Sequence, residues 1–111
     1  MTDEAELLKA FEDKGVSYGN ELIIYRESCN DFIQASKLAG LAVIGIEGFH
    51  LLQNGSVKPN VDEIADFSDI EDSNLDRCIE RCSEAAINFI HHMLENGKSD
   101  GYCFTLTDLV D

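Results

Sequence analysis

Four cysteines, three histidines and a dense run of carboxylates are the residues of this chain whose types could do chemistry. Cys78 and Cys82 stand four apart, and His92 falls within a quarter-turn of the same helical stripe. Thiolate and imidazole are zinc ligands, so the three invite a metal-site reading. Distance opposes it. Ten residues of helix separate Cys82 from His92 by roughly 15 Å at ~1.5 Å per residue, whereas zinc bonds are ~2.0–2.3 Å long. Cys29 or Cys103 would have to complete such a site from elsewhere, and buried cysteines packing as small hydrophobes explain the positions more simply. His50 with a nearby cysteine could form a nucleophilic pair. However, no glycine-flanked nucleophile marks a strand-to-helix turn, and no loop has the form of a phosphate cradle. His91 and His92, near a helix end, interact favourably with its dipole when protonated. The sequence thus nominates no catalytic residue, no metal ligand and no cofactor.

The carboxylates are the stronger candidates. Asp62, Glu63, Asp66, Asp69, Glu71, Asp72, Asp76, Glu80 and Glu84 crowd one stretch, opposed there only by Arg77 and Arg81. Asp76, Glu80 and Glu84 repeat every four residues, and like charges at that spacing each cost a helix a few tenths of a kcal/mol. A partner rich in Lys and Arg would offset this cost. Glu47 stands apart, set between Gly45 and Gly48 in an apolar run. It either reaches a sheet margin through a bulge or is buried against a cation such as Arg26.

The whole chain shares this bias, with 22 Asp and Glu against 8 Lys and Arg and a formal charge of -14. Such an excess repels itself, keeps a protein in solution and speeds encounter with cationic partners. It argues against direct binding to nucleic acid or an anionic membrane, which need a basic footprint. Met1 to Gly15 has no apolar core of a secretory signal, and the cysteine spacing is not a disulfide framework. Reduced thiols in the cytoplasm are therefore expected.

Positioning these residues requires a folded scaffold, and 111 residues with 44% apolar content suffice for one domain. The longest apolar run, Leu41 to Leu52, has both alternating faces mostly apolar, which predicts a central strand covered on both sides. Gly45 and Gly48 within it suggest a bulge or a close backbone approach. Thr2 to Lys14 reads as an amphipathic helix ended by Gly15, Glu21 to Arg26 as a short strand, and Asp31 to Ala39 as a helix capped by Asn30. This strand, helix and central strand suggest a right-handed parallel crossover.

Val57 to Ser68 follows the Asn54-Gly55 turn, with Val61, Ile64 and Phe67 expected to face inward and Pro59 arguing against an inner strand. Ser73 to Asn96 is a long helix of about 36 Å. It opens on a capping-box-like Ser73-Asn74-Leu75-Asp76, and Leu75, Cys78, Ile79, Cys82, Ala86, Phe89, Ile90 and Met93 form its stripe. Gly97 ends it, and the segment from Gly101 alternates as a last strand. The expected fold is α+β: a single mixed sheet of about four strands covered by three helices, in the order α-β-α-β-β-α-β.

The words LAVIGIEGFHL and NVDEIADFS, within about Gly19 to Ser68, resemble immunity proteins of bacterial toxin–immunity systems, of the contact-dependent growth inhibition type. The most distinctive pieces are IGIEGF and IADFS, and they cover less than half the chain. The resemblance implies a cytoplasmic inhibitor, not an enzyme, that binds a cognate toxin C-terminal domain, often a basic nuclease. It would block that domain's active site or nucleic-acid surface. Glu47 and Asp66 are the acids inside these two distinctive pieces. Together with the charge pattern, the expected partner-binding set is Glu47, Asp62, Glu63, Asp66, Asp69, Glu71, Asp72, Asp76 and Glu80. Two alternatives remain open: an acidic regulator of a cellular nucleic-acid-binding protein, and a small cysteine- or metal-dependent enzyme.

Overall fold

Alternation in the segments from Gly15, Glu21, Leu41, Val57 and Gly101 builds one five-stranded sheet, and three helices pack on one of its faces. The computed structural model describes residues 4–108. In chain order the elements are α1 (Glu4–Ala10), β1 (Gly15–Tyr18), β2 (Glu21–Tyr25), α2 (Cys29–Leu38), β3 (Leu41–Leu51), β4 (Val57–Asp66), α3 (Leu75–Asn96) and β5 (Gly101–Asp108). Single 3-10 turns, Glu12–Lys14 and Arg26–Ser28, precede β1 and α2. The fold class is α+β, as expected from the sequence.

Strand order is β1-β2-β5-β3-β4, and every neighbouring pair is antiparallel. β2 and β3 are both antiparallel to β5, which lies between them. They therefore run in the same direction, as the crossover reading required, without being neighbours. The expected mixed sheet of about four strands is in fact five strands with antiparallel ladders throughout.

The strand not anticipated is β1, which pairs with β2 from Gly15↔Ile24 to Tyr18↔Glu21. Gly19, with φ of 63°, makes the tight turn between them. Gly15, expected to end the first helix in a left-handed conformation, is instead extended and opens this strand. A Cβ there would collide with the Ile23 carbonyl across the ladder. Thr2, the expected start of the first helix, lies outside the described residues.

Both apolar periods converge on the helix-bearing face. Leu7 of α1, Phe32 and Ile33 of α2, and Ala86 and Ile90 of α3 bury against Ile24, Val43, Ile46, Tyr102 and Leu106. Phe32 stacks near Phe104 at 5.0 Å between ring centroids, and Phe11 meets Phe32 edge-on. Near the start of α3, Cys78, Ile79 and Cys82 pack on Ala42. The helix begins at Asn74, whose side chain accepts the Arg77 N–H at 2.9 Å. The cap is thus one residue later than the sequence suggested. In α2 neither Ser28 nor Asn30 supplies a side-chain cap; the 3-10 turn leads directly into the helix.

The opposite face of the sheet is only half closed. Ile23, Phe49 and Cys103 are buried there with Leu51 and Val57 beside them. The ring of Tyr18, on β1 and separated from β3 by β2 and β5, sits 5.6 Å from Phe49, so the β1–β2 hairpin curls over that half. β3 is therefore covered on both sides around Phe49 but not around Gly45 and Glu47. The bulges anticipated from its glycines are present, between Val43 and Gly45 against β5 and between Glu47 and Gly48 against β4. No helix among the described residues is long and apolar enough to cross a membrane.

Candidate protein-binding surface

β4 is an edge strand, in keeping with its Pro59. Its register slips sharply. Gly48 faces Asn60 while the adjacent Glu47 faces Ile64, so residues 61–63 bulge out opposite nothing. The slip inverts the expected orientation of the segment. Val61 and Ile64, expected to face inward, are 75% and 50% exposed, whereas Asn60 and Glu63 are buried.

Glu63 consequently leaves the expected partner-binding set. Its Oε2 accepts the Lys98 N–H at 2.6 Å, and its Oε1 accepts the Tyr102 hydroxyl at 2.7 Å and the Ser99 N–H at 3.3 Å. Asn60 donates to the Ser99 hydroxyl at 3.0 Å, so the bulge is sewn to the loop between α3 and β5. Burial alone would raise the Glu63 pKa. Hydrogen bonds from Lys98, Tyr102 and Ser99 outweigh it and hold the carboxyl at about 2. Burial and the bond to Glu63 push the Tyr102 hydroxyl in the other direction, above its ordinary value. Glu63 is the buried, satisfied carboxylate of the molecule, and Glu47 is not.

Glu47 is half-buried on the open face and pairs across with Ile64 and Cys103. Arg26, considered as its partner, is engaged elsewhere. Its guanidinium donates to the carbonyls of Met93 at 3.1 Å, Leu94 at 2.9 Å and Ser99 at 3.2 Å, satisfying the end of α3. With Gly45, Ile64, Asp66 and Thr105, Glu47 lines a shallow groove of about 310 Å³. Gly45 carries no side chain, so the groove floor there is backbone; a Cβ at this position would stand in ordinary contact, 3.5 Å from the Ala65 carbonyl oxygen.

The other nominated acids wrap around the β4 edge, and all of them but the largely buried Asp72 face solvent. Asp62 and Asp66 lie on β4, Asp69, Glu71 and Asp72 on the connection, and Asp76 and Glu80 on the first turns of α3. Asp66 accepts the Ser68 hydroxyl at 2.6 Å and N–H at 2.9 Å, which holds its carboxyl below the usual range. Asp72 does the same with Arg77 and the Asn74 N–H. Among the described residues the ion pairs are those of Asp72, with Arg77 at 2.9 Å and Arg81 at 3.7 Å. Glu47, Asp62, Asp66, Asp69, Asp76 and Glu80 have no cation so near. Asp72 is thus a local brace, and the remaining acids are the uncompensated charge.

The four cysteines are all free and buried. Burial pushes the Cys103 thiol up to about 12, with Glu21 and Glu47 adding to the effect, and raises Cys29 and Cys82 as well. Thiols in such surroundings stay protonated and behave as core side chains. Among the described residues no three His, Cys, Asp or Glu side chains come together as metal ligands.

Ile64 and Val61 are the surface residues that sequence reasoning missed. Their apolar character marked them for the core, and only the broken alternation Asn60-Val61-Asp62-Glu63-Ile64 hints at the slip. In comparison with known proteins, no family model matches this sequence and no curated protein does either.

Proposed function

We propose that this chain is an immunity-type protein that neutralises a basic toxin domain of the nuclease kind in the cytoplasm. On this reading it binds the domain through an acidic surface, covers its active site or nucleic-acid-binding surface, and performs no chemistry itself. The observation that carries the reading is a set of exposed carboxylates with no cation within ion-pair distance, in a chain of net charge -14. An inhibitor of a nuclease can substitute carboxylates for the phosphates that its target is built to bind. The field then steers association, and charge pairs desolvated in the complex slow its dissociation. A standard interface takes about 800 Å² from each partner, a modest part of the 6721 Å² this chain exposes. The likeness of the β3 and β4 segments to immunity proteins supports the same conclusion.

The test is co-expression with the toxin domain encoded beside this chain. Rescue of growth, with a one-to-one complex on purification, is the expected result. Unrescued growth and no complex would contradict the proposal. Binding of a cellular nucleic-acid-binding protein in its place would favour the acidic regulator instead.

A further inference from the structure

Acid residues lie on both sides of the β4 edge. Asp76 and Glu80 belong to α3, on the helix-bearing side, whereas Glu47 and Gly45 lie on the open face of β3. The helical acids stand exposed beside a hollow lined by Lys37, Leu38, Gly40 and Ile79. The open face differs in kind. It is the part of the sheet that neither helices nor hairpin covers, and it presents Ile64 at 50% exposure beside a glycine-floored groove. Glu47 and Asp66 flank the apolar strip, and neither has a cation within salt-bridge distance. A strip of this sort, apolar at its middle and negative at its margins, complements a surface with an apolar knob between basic side chains.

Building on the immunity reading, we propose that the open face of β3 and β4, centred on Ile64 and Gly45, is the docking surface for a basic partner protein. The acids of α3 steer the approach without entering the contact. The two regions then act on different rate constants. Residues at the centre of an interface govern dissociation, whereas charges outside it govern association and its salt dependence.

The experiment measures both rate constants for the full chain and the neighbouring toxin domain. The double variants compared are Glu47→Gln with Ile64→Ala, and Asp76→Asn with Glu80→Gln. The first pair is expected to raise the dissociation rate at least tenfold and leave association within about twofold. The second is expected to slow association several-fold at low salt and leave dissociation unchanged. Normal dissociation from the first pair, or faster dissociation from the second alone, would overturn the assignment.

A second measurement stands independently of the toxin. The isotope-labelled full chain is titrated at low salt with a small basic ribonuclease, and its amide shifts are followed by NMR. Shift changes centred on Glu47, Ile64 and Asp66 support the docking surface, and changes centred on Asp76, Glu80 and Glu84 overturn it. If the toxin domain fails to bind at all, the immunity reading falls, and this titration still decides the surface.

Discussion

At the scale of single residues, Glu63 is the most consequential side chain in the molecule. It gathers two backbone N–H groups, those of Lys98 and Ser99, and the Tyr102 phenol. Glu63→Ala removes three charge-assisted bonds at once and is expected to cost about 3 kcal/mol, because each stranded buried donor carries its own desolvation penalty. Urea denaturation of the variant measures this directly. The same group sets the acid limit of the fold. Its folded pKa, about 2, lies below the ordinary carboxylate value, so its contribution is complete above about pH 4.5 and disappears as pH falls towards 2. Tyr102 and the thiols of Cys29, Cys82 and Cys103 are shifted upward, with the opposite consequence. Their contribution is complete below the unfolded pKa values, about 8.5 for cysteine and 10 for tyrosine, and is lost as pH rises beyond them. A pH series of thermal melts should therefore fall away on both flanks, and Glu63→Gln should flatten the acid flank and, because Glu63 helps to raise Tyr102, soften the alkaline flank as well. None of this was legible beforehand. Glu63 looks like any member of an acidic run until the register of β4 is known.

At the scale of elements, α3 and β3 were readable because each carries a long, consistent period. The stripe Cys78, Ile79, Cys82, Ala86 and Ile90 is buried as its spacing required. The two glycines of β3 announced the bulges that bend it. β1 was missed because four residues are too few to show a period, although Gly19-Asn20 between two short runs was a usable hairpin signal. β4 was misread because its three-residue bulge breaks alternation midway, exchanging which residues face the core. The caps make a separate prediction. Asn74→Ala deletes the bond to the Arg77 N–H and should cost about 1 kcal/mol. Circular dichroism melts would register it as a lower midpoint, and binding of the partner should be unaffected, since Asn74 lies outside the proposed docking surface. Gly48→Ala should be more damaging, because its Cβ would collide with the Ser99 hydroxyl and press on Glu63. A loss of about 2 kcal/mol is expected from overpacking of this kind.

At the scale of the whole molecule, charge is the organising quantity. Composition revealed its size, and the periodicity of α3 placed part of it on one face. What composition could not reveal is that the chain also leaves half of one sheet face uncovered beside that charge. The uncompensated acids repel one another in the free protein, so added salt should stabilise it, raising the thermal midpoint as screening increases. In the complex the sign reverses, because the same salt weakens the attraction to a basic partner. The measurement that bears most directly on the account is the association rate of this chain with the basic toxin domain proposed as its partner, followed as salt increases. The account predicts a steep fall, by an order of magnitude or more between low and high salt, with little change in dissociation. An association rate indifferent to salt would contradict it, since no charged surface would then be guiding the encounter.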